Sequence, residues 1–363
     1  MAVVGAGPGG VAAARRLRER AAGSVEITLV ERGGSSEYLP GTIPVLLGEA
    51  APGRFGQTVD ISGVEVIAGE ASEVSGRGLL VDGRPVEADC VIAAPGLETR
   101  DLRGGPGVHA FWSPSGAAAA GDAALDSAGT IAVVVCSLPY RCPPAPYSLA
   151  MQLASGKRGA AAPAKVVLTT PEEEPLAALG GGVPEFLRES CREAGVDLRN
   201  GFAPDLEALE RGELRSERSE ELPADLKLVV PPHTRPSALA RLPGDGPLVE
   251  VSATFETAEE GLFVVGDAAA APFPRAAGPA EAAGRTAADA ALARLGFDGS
   301  EPHLPQPECY VGHGGGMFSR ISLRYPEGPP PAGSAEVTLE GPSTELARGP
   351  EEAFQRFRSL RAG

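Results

Sequence analysis

The opening stretch "MAVVGAGPGGVAAARRLRER" constrains the fold more than any other part of the chain. An apolar run reads as a strand, a glycine turn follows, and an alanine-rich helix comes next. Gly5, Gly7 and Gly10 stand in the spacing G-x-G-x-x-G, with Pro8 and Gly9 between them. One glycine permits the tight turn, one lets the backbone approach a pyrophosphate, and one packs helix on strand. The helix N-terminus then turns its partial positive charge toward the phosphates. Glu31, with Arg32 beside it, ends the next strand, "SVEITLVERG", where an acidic side chain takes the ribose hydroxyls of an adenosine. The stretch predicts a dinucleotide-binding α/β unit.

The 363 residues suffice for more than one such unit, and a hydrophobic share of 43% is ordinary for a globular protein. The net charge of -16 argues against nucleic acid, since little is left to neutralise phosphates. No apolar run reaches the roughly 18 residues of a spanning helix. The first strand begins at Ala2, which leaves no room for an export signal, so a cytoplasmic location is expected. The five cysteines form no C-x-x-C pair, and with only four histidines no metal-ligand spacing arises, so no metal site is expected.

Further along, "VEADCVIAAPG" (86–96) reads as a strand closing on a small-residue turn. A second α/β segment starts near Ala128: strand 130–135, helix near 147–155, strand 164–170, helix near 183–194, and "LKLVVPP" at its end. "TAEEGLFVVGDAAA" returns to strand-turn chemistry before a long small-residue helix, 278–296. "FSRISLRY" and "SAEVTLEG" read as two strands joined by "PEGPPPAGS", with a short final helix. The expected fold class is α/β: two Rossmann-like three-layer domains, the first split by the second, plus a small C-terminal segment. The expected divisions are 1–110 and 239–304 for the first domain, 111–238 for the second, and 305–363 for the last piece.

Two later segments point to FAD. "VIAAPG", with Ala94, Pro95 and Gly96, resembles the A-T-G segment of two-dinucleotide flavoproteins, where the chain crosses back beside the cofactor. "GLFVVGDAAA" resembles their second FAD motif, in which Gly266 and Asp267 would meet the ribitol and phosphates. Over most of its length the chain looks like the two-dinucleotide-fold flavoproteins of the disulfide-reductase superfamily. Within that group "PYRCPPAPY" is similar to the P-Y-R-C-P-P-G-P-Y stretch of the flavoprotein subunit of flavocytochrome c sulfide dehydrogenases, relatives of the sulfide:quinone oxidoreductases. The resemblance adds Pro40 and Thr42 of "YLPGTIP", Ala71, and Arg275 of "PRAAG" as cofactor contacts, Arg275 as a cation that stabilises anionic reduced flavin.

Pyridine-nucleotide reductases carry a second glycine turn after the strand that corresponds to 130–135. This chain has Cys136-Ser137-Leu138-Pro139 there. Prolines remove N–H donors and fix φ, so the loop cannot form a phosphate cradle. Cys142 stands on that loop among Pro139, Pro143, Pro144 and Pro146. The resemblance implies that Cys142 pairs with Cys309 of "QPECYVGHGGG" as a redox-active disulfide or polysulfide bridge beside the flavin. Cys90 and Cys191 read as small buried hydrophobes, and Cys136 as structural.

The implied activity is FAD-dependent oxidation of sulfide, or another small sulfur donor, to zero-valent sulfur or polysulfide. Electrons would pass to a quinone, ahead of a cytochrome. Competing readings are a pyridine-nucleotide-linked reductase of the NADH:quinone or coenzyme-A-disulfide type, and a non-catalytic flavin-binding protein. The glutamate that the relatives place after the last tyrosine of the motif is Ser148 here, with His313 or Glu308 as substitutes. In "PEEAFQRFRSLRAG", Phe354, Phe357 and Leu360 fall on one helical stripe near Arg356, Arg358 and Arg361. That stripe either attaches weakly to the inner face of a membrane or packs on the protein itself.

Overall fold

Short runs of valine, isoleucine and alanine, buried on both faces, build the centre of the first sheet. The computed structural model describes the whole chain except residues 103, 126, 128, 157–164, 329–333 and 363. Its first sheet is five-stranded and parallel, in the order Leu262–Val264, Val91–Ala93, Ala2–Val4, Thr28–Glu31, Glu65–Ala68. The Ala2–Val4 strand is buried throughout, as a parallel sheet covered on both faces requires. The edge strand Leu262–Val264 comes from far along the chain, after all the strands of the second sheet.

Helices Pro8–Ala21 and Ala277–Arg294 pack side by side on that sheet. Small residues make the approach possible: a Cβ on Gly284 would lie 2.0 Å from the Gly9 carbonyl oxygen. Arg16 then grips both carboxylate oxygens of buried Asp289, at 2.9 and 3.0 Å, and ties the two helices together. Such a two-pronged bond is stronger than a single neutral one.

The second sheet is also five-stranded and parallel: Val108–Ala110, Leu226–Val230, Thr130–Val135, Lys165–Thr169, Val196–Arg199. Val108–Ala110 lies on the first-domain side of the expected 110/111 division, yet it hydrogen-bonds in the second sheet. With three residues it is too short for its partner to show in the sequence. The 86–96 segment also proves to be two pieces. Arg84–Glu87 closes an antiparallel meander with Ala71–Ser75 and Gly78–Val81, while Val91–Ala93 belongs to the parallel sheet. The meander alternates weakly, with few inward residues, and leaves little periodic signal.

A three-stranded antiparallel sheet, Glu308–Gly314, Met317–Arg324 and Glu336–Ser343, precedes the helix Gly349–Ser359. The sequence reading has two of these strands and leaves the one holding Cys309 as a loop. Part of the "PEGPPPAGS" connection, 329–333, lies outside the described residues. The aromatic stripe of the last helix faces inward. Phe354 and Phe357 are buried, with ring centroids 5.4 and 5.1 Å from Tyr38, and Phe354 is 4.9 Å from Phe55. Leu360 packs on the core of the first sheet. Burial of each phenylalanine contributes about 1.5–3 kcal/mol, so the membrane-facing use of this stripe is replaced by packing within the chain. Among the described residues no helix is long and apolar enough to cross a membrane.

Candidate active site

The glycine turn shows why each glycine is there. Gly5 has φ +89°, and a Cβ on it would sit 2.3 Å from the Ala94 carbonyl oxygen. A Cβ on Gly10 would lie 1.8 Å from the Gly5 carbonyl oxygen, so it allows the helix to press on the turn. Gly7 differs: a Cβ there would meet nothing within 4 Å. The first two positions serve the fold, and the third keeps a surface of the turn open for a ligand. The helix starting at Pro8 has no side-chain cap, so its first N–H groups remain available to an anion.

The acid and the crossing segments converge on this turn. Glu31 accepts a hydrogen bond from the Ala6 N–H, and burial raises its pKa above the usual carboxylate value. Ala94 donates to the Val4 carbonyl at 2.7 Å, which lays Ala94, Pro95 and Gly96 directly against the turn. Val265 donates to Ala93 at 2.9 Å and brings Gly266 and Asp267 to the same sheet edge. Arg32 points outward, paired with Glu70 and Glu98 at 3.2 and 3.3 Å. Ala71 begins the meander and pairs with Val81, two residues after Gly69, whose N–H donates to the Glu31 carbonyl at 3.1 Å. Pro40 lies in the turn Leu39–Gly41, and the Thr42 hydroxyl donates to the Leu39 carbonyl at 2.9 Å.

Cys142 sits where the second sheet presents its loop to the first domain. Its N–H donates to the Arg275 carbonyl at 3.0 Å, and its carbonyl accepts from Ala145 at 2.9 Å. Its φ of +52° is unusual for a non-glycine residue. The following helix, Ala145–Ala154, is capped by Pro144 and carries Pro146 in its first turn. Those positions offer no N–H to a phosphate.

Cys309 arrives from the C-terminal sheet. Ser148 accepts from the Gly312 N–H at 2.8 Å and from Gln152 at 3.1 Å, which ties the helix behind Cys142 to the strand of Cys309. A Cβ on Gly312 would lie 2.6 Å from the Gln152 side chain, so glycine is what lets strand and helix touch. Ser148 thus joins the two elements instead of moving protons.

The two thiols share one environment. Both are pushed up to about 12 by burial; the charge of Cys309 raises Cys142 further, and that of Glu308 raises Cys309. Arg141, on the same loop, opposes the shift at Cys142. Tyr38 was missed by sequence reasoning, though its loop was singled out. Burial raises its phenol pKa, both Cys142 and Cys309 add to the rise, and all three side chains pack against the same hydrophobic core. His313 instead bonds Ser319 at 2.8 Å and faces the Phe186 ring. Glu308 is the carboxylate that Cys309 feels, and it pairs with Arg320 at 3.5 Å.

A set of buried charges surrounds the cysteine loop. Burial raises the Asp267 pKa, opposed by Arg141 and Arg275. The Nε atoms of Arg141 and Arg275 have no partner among the described residues. Unsatisfied buried donors are rare in folded proteins, so these two nitrogens are open to a polar ligand's atoms. His233 packs against the Trp112 ring, and burial together with the Arg141 charge lowers its pKa to about 3.

That shift gives a pH signature. Below about pH 6.5 the unfolded chain takes up a proton that native His233 refuses. Stability is therefore lost as pH falls from about 6.5 toward 3, at up to about 1.4 kcal/mol per pH unit. His233→Gln is expected to flatten this part of the profile relative to the parent protein. Urea midpoints at a series of pH values check it; parallel profiles for the two proteins would rule it out.

Behind the loop, Glu172 accepts from the hydroxyls of Tyr147 at 2.9 Å, Thr170 at 3.1 Å and Tyr140 at 3.4 Å. Both tyrosines belong to "PYRCPPAPY", so this carboxylate anchors the loop from inside. Nothing in the sequence separates Glu172 from its neighbours Glu173 and Glu174.

A family model described as pyridine nucleotide-disulphide oxidoreductase matches residues 1–287. Among solved structures, the chain is similar to the sulfide:quinone oxidoreductase of the hyperthermophilic bacterium Aquifex aeolicus, with TM-score 0.79 and 17% identity, over 99% of this chain and 91% of that one. It is similar also to a chain of the Tetrahymena thermophila mitochondrial ATP synthase, with TM-score 0.73 and 13% identity, over 100% of this chain and 93% of that one. Reduced Bacillus anthracis CoADR-RHD matches with TM-score 0.64 and 16% identity, over 90% of this chain and 61% of that one. At such identities these likenesses show the fold. The open face at Gly7, the uncapped helix start, Glu31 and the unpartnered arginine nitrogens fit the cofactor of that fold, FAD. With two parallel sheets, a glycine turn that leaves room for a pyrophosphate, and the family model covering most of its length, the chain belongs to the pyridine nucleotide-disulphide oxidoreductase family.

Proposed function

We propose that this FAD-dependent oxidoreductase takes electrons from sulfide, or a similar small sulfur nucleophile, through the pair Cys142 and Cys309, and passes them to a quinone or cytochrome. The observation that supports the reading is that Cys142 and Cys309, from different sheets, pack against one hydrophobic core, while Ser148 bonds the helix behind Cys142 to the strand of Cys309. The Aquifex aeolicus likeness agrees with it.

When bound, FAD would supply a two-electron acceptor for the pair. With both thiols near 12, the reduced pair stays protonated at neutral pH and is a poor nucleophile. The nucleophile therefore comes from outside and attacks the oxidised pair. Hydrosulfide forms a bond to one cysteine sulfur, the Cys142–Cys309 bond breaks, and the other cysteine leaves as thiolate. Arg141 lies where it stabilises that negative charge at Cys142. With a bound FAD as the acceptor, loss of two electrons and of the persulfide proton to solvent would leave the added sulfur bridging Cys142 and Cys309. Attack by a second hydrosulfide on the bridging sulfur expels a cysteine thiolate. That thiolate re-forms the pair and releases HSS⁻. The sum is two HS⁻ giving HSS⁻, a proton and two electrons.

Two features weigh against pyridine nucleotide as donor. The helix after the strand Thr130–Val135 opens on prolines, so its amide cradle is missing. The acid beyond the second strand, Glu172, is taken by Tyr140, Tyr147 and Thr170, whereas a dinucleotide site offers such a carboxylate to a ribose. An anaerobic titration of the FAD absorbance separates the readings. Sulfide is expected to bleach it stoichiometrically, and NADH or NADPH to leave it unchanged over the same time. Rapid bleaching by NADH with none by sulfide would replace this proposal with a nicotinamide-linked one.

A further inference from the structure

Unlike its exposed neighbours Arg356 and Arg358, Arg361 is among the most deeply buried side chains, 1% exposed. One of its terminal nitrogens donates to the Ala6 carbonyl at 3.0 Å and lies 3.4 Å from the Ser36 hydroxyl. The other donates to the Phe357 carbonyl at 2.7 Å, and the guanidinium lies over the Phe357 ring at 3.4 Å. Its Nε has no partner among the described residues. Ala6 is the residue between Gly5 and Gly7, and the two peptide groups that flank its Cα are both held. Its N–H goes to Glu31 and the carbonyl of the same residue to Arg361.

The chain around Arg361 is tied to the same helix that starts at the turn. Arg15 of that helix donates to the carbonyls of Leu360 and Ala362, each at 2.6 Å, and to Ser359 at 3.2 Å. Asp60 donates its N–H to the Arg361 carbonyl at 2.8 Å, and Arg356 reaches Glu281 on the partner helix at 3.0 Å. A buried cation is costly unless something negative offsets it. Glu31 and Glu281 supply part of that, and burial brings the guanidinium pKa only to about 10, so it stays charged at neutral pH.

We propose that Arg361 is a positioning residue of the FAD site, and that the segment from Gly349 to Ala362 is a clasp that holds the glycine turn in its pyrophosphate-binding shape. Arg361 fixes the Ala6 peptide ahead of Gly7 and adds positive potential beside the turn, where low dielectric strengthens its pull on a diphosphate. The inference rests on FAD alone, so its failure leaves the sulfide reading standing and the reverse holds too.

The test uses full-length protein stripped of FAD and retitrated with FAD, read by flavin fluorescence, alongside the thermal midpoint of the stripped protein. Arg361→Met is expected to raise the FAD dissociation constant about tenfold or more. Its stripped form should melt near the parent midpoint, and Arg361→Lys should recover part of the affinity. Unchanged FAD affinity in Arg361→Met overturns the proposal, as does a joint fall of affinity and stripped-form midpoint with no recovery by lysine. Should Arg361→Met fail to fold, Arg15→Met decides by the same titration: weaker FAD supports the clasp, and parent-like affinity overturns it.

Discussion

Cys142→Ser and Cys309→Ser are each expected to abolish reduction of the flavin by sulfide while leaving FAD bound. A serine keeps the size of the side chain and cannot form or exchange a sulfur–sulfur bond. The oxidised pair therefore disappears whichever cysteine is removed. A fall of at least about 10³-fold in the bleaching rate is expected, equivalent to about 4 kcal/mol of barrier. FAD binding depends on the glycine turn and Glu31, which share no side-chain hydrogen bond with either cysteine, so the flavin spectrum should stay that of the parent. Stopped-flow mixing with sulfide under argon measures the rate. Near-parent rates in either variant would mean that the flavin is reduced without the pair. Cys90→Ala serves as the control. Cys90 is buried next to the first sheet, and its truncation should cost about 1 kcal/mol of stability and no rate.

The second large effect separates the two kinds of glycine in the turn. Gly10→Ala places a Cβ at 1.8 Å from the Gly5 carbonyl, and backbone must move to admit it. A loss of about 3 kcal/mol or more is expected, with FAD lost along with the fold. Gly7→Ala adds a Cβ into open space at φ -64°, where any residue is comfortable. The stripped protein should keep its stability within about 0.5 kcal/mol. FAD should nevertheless bind far more weakly, because the methyl group takes the place where the pyrophosphate approaches. Denaturation midpoints and FAD titrations of both variants check the contrast. Equal stability losses at the two positions would contradict the assignment of Gly7 to ligand approach.

What could be read from the sequence was local chemistry. A glycine spacing between a strand and a helix, an acid at the next strand end, and a cysteine clamped by prolines all act over a few residues. Each states its role without knowledge of the rest of the chain. Residues whose role depends on packing stayed hidden. Glu172 lies in "TPEEEP", which resembles an exposed acidic loop, and only the fold turns that one carboxylate toward two tyrosines. Tyr38 acquires its buried place from Phe55, Phe354 and Phe357, which come together from opposite ends of the chain. Arg361 shows the limit most clearly. On a helical projection it follows Phe354 by seven residues and Phe357 by four, on the buried stripe, but only the docking of those phenylalanines on the first domain carries the guanidinium to Ala6. The strand of Cys309 was hidden because glycines at 312, 314, 315 and 316 read as loop, whereas Gly312 gives the strand room against Gln152.

The central claim is that sulfur from the donor is bonded to Cys142 or Cys309 while electrons leave. The most direct measurement mixes oxidised protein with one equivalent of sulfide under argon, quenches with an alkylating reagent, and maps sulfur on each cysteine by peptide mass spectrometry. The account predicts one added sulfur atom on Cys142 or Cys309, none on Cys90, Cys136 or Cys191, and flavin bleaching in proportion to the sulfur bound. Full bleaching with no sulfur on either of the pair would contradict it.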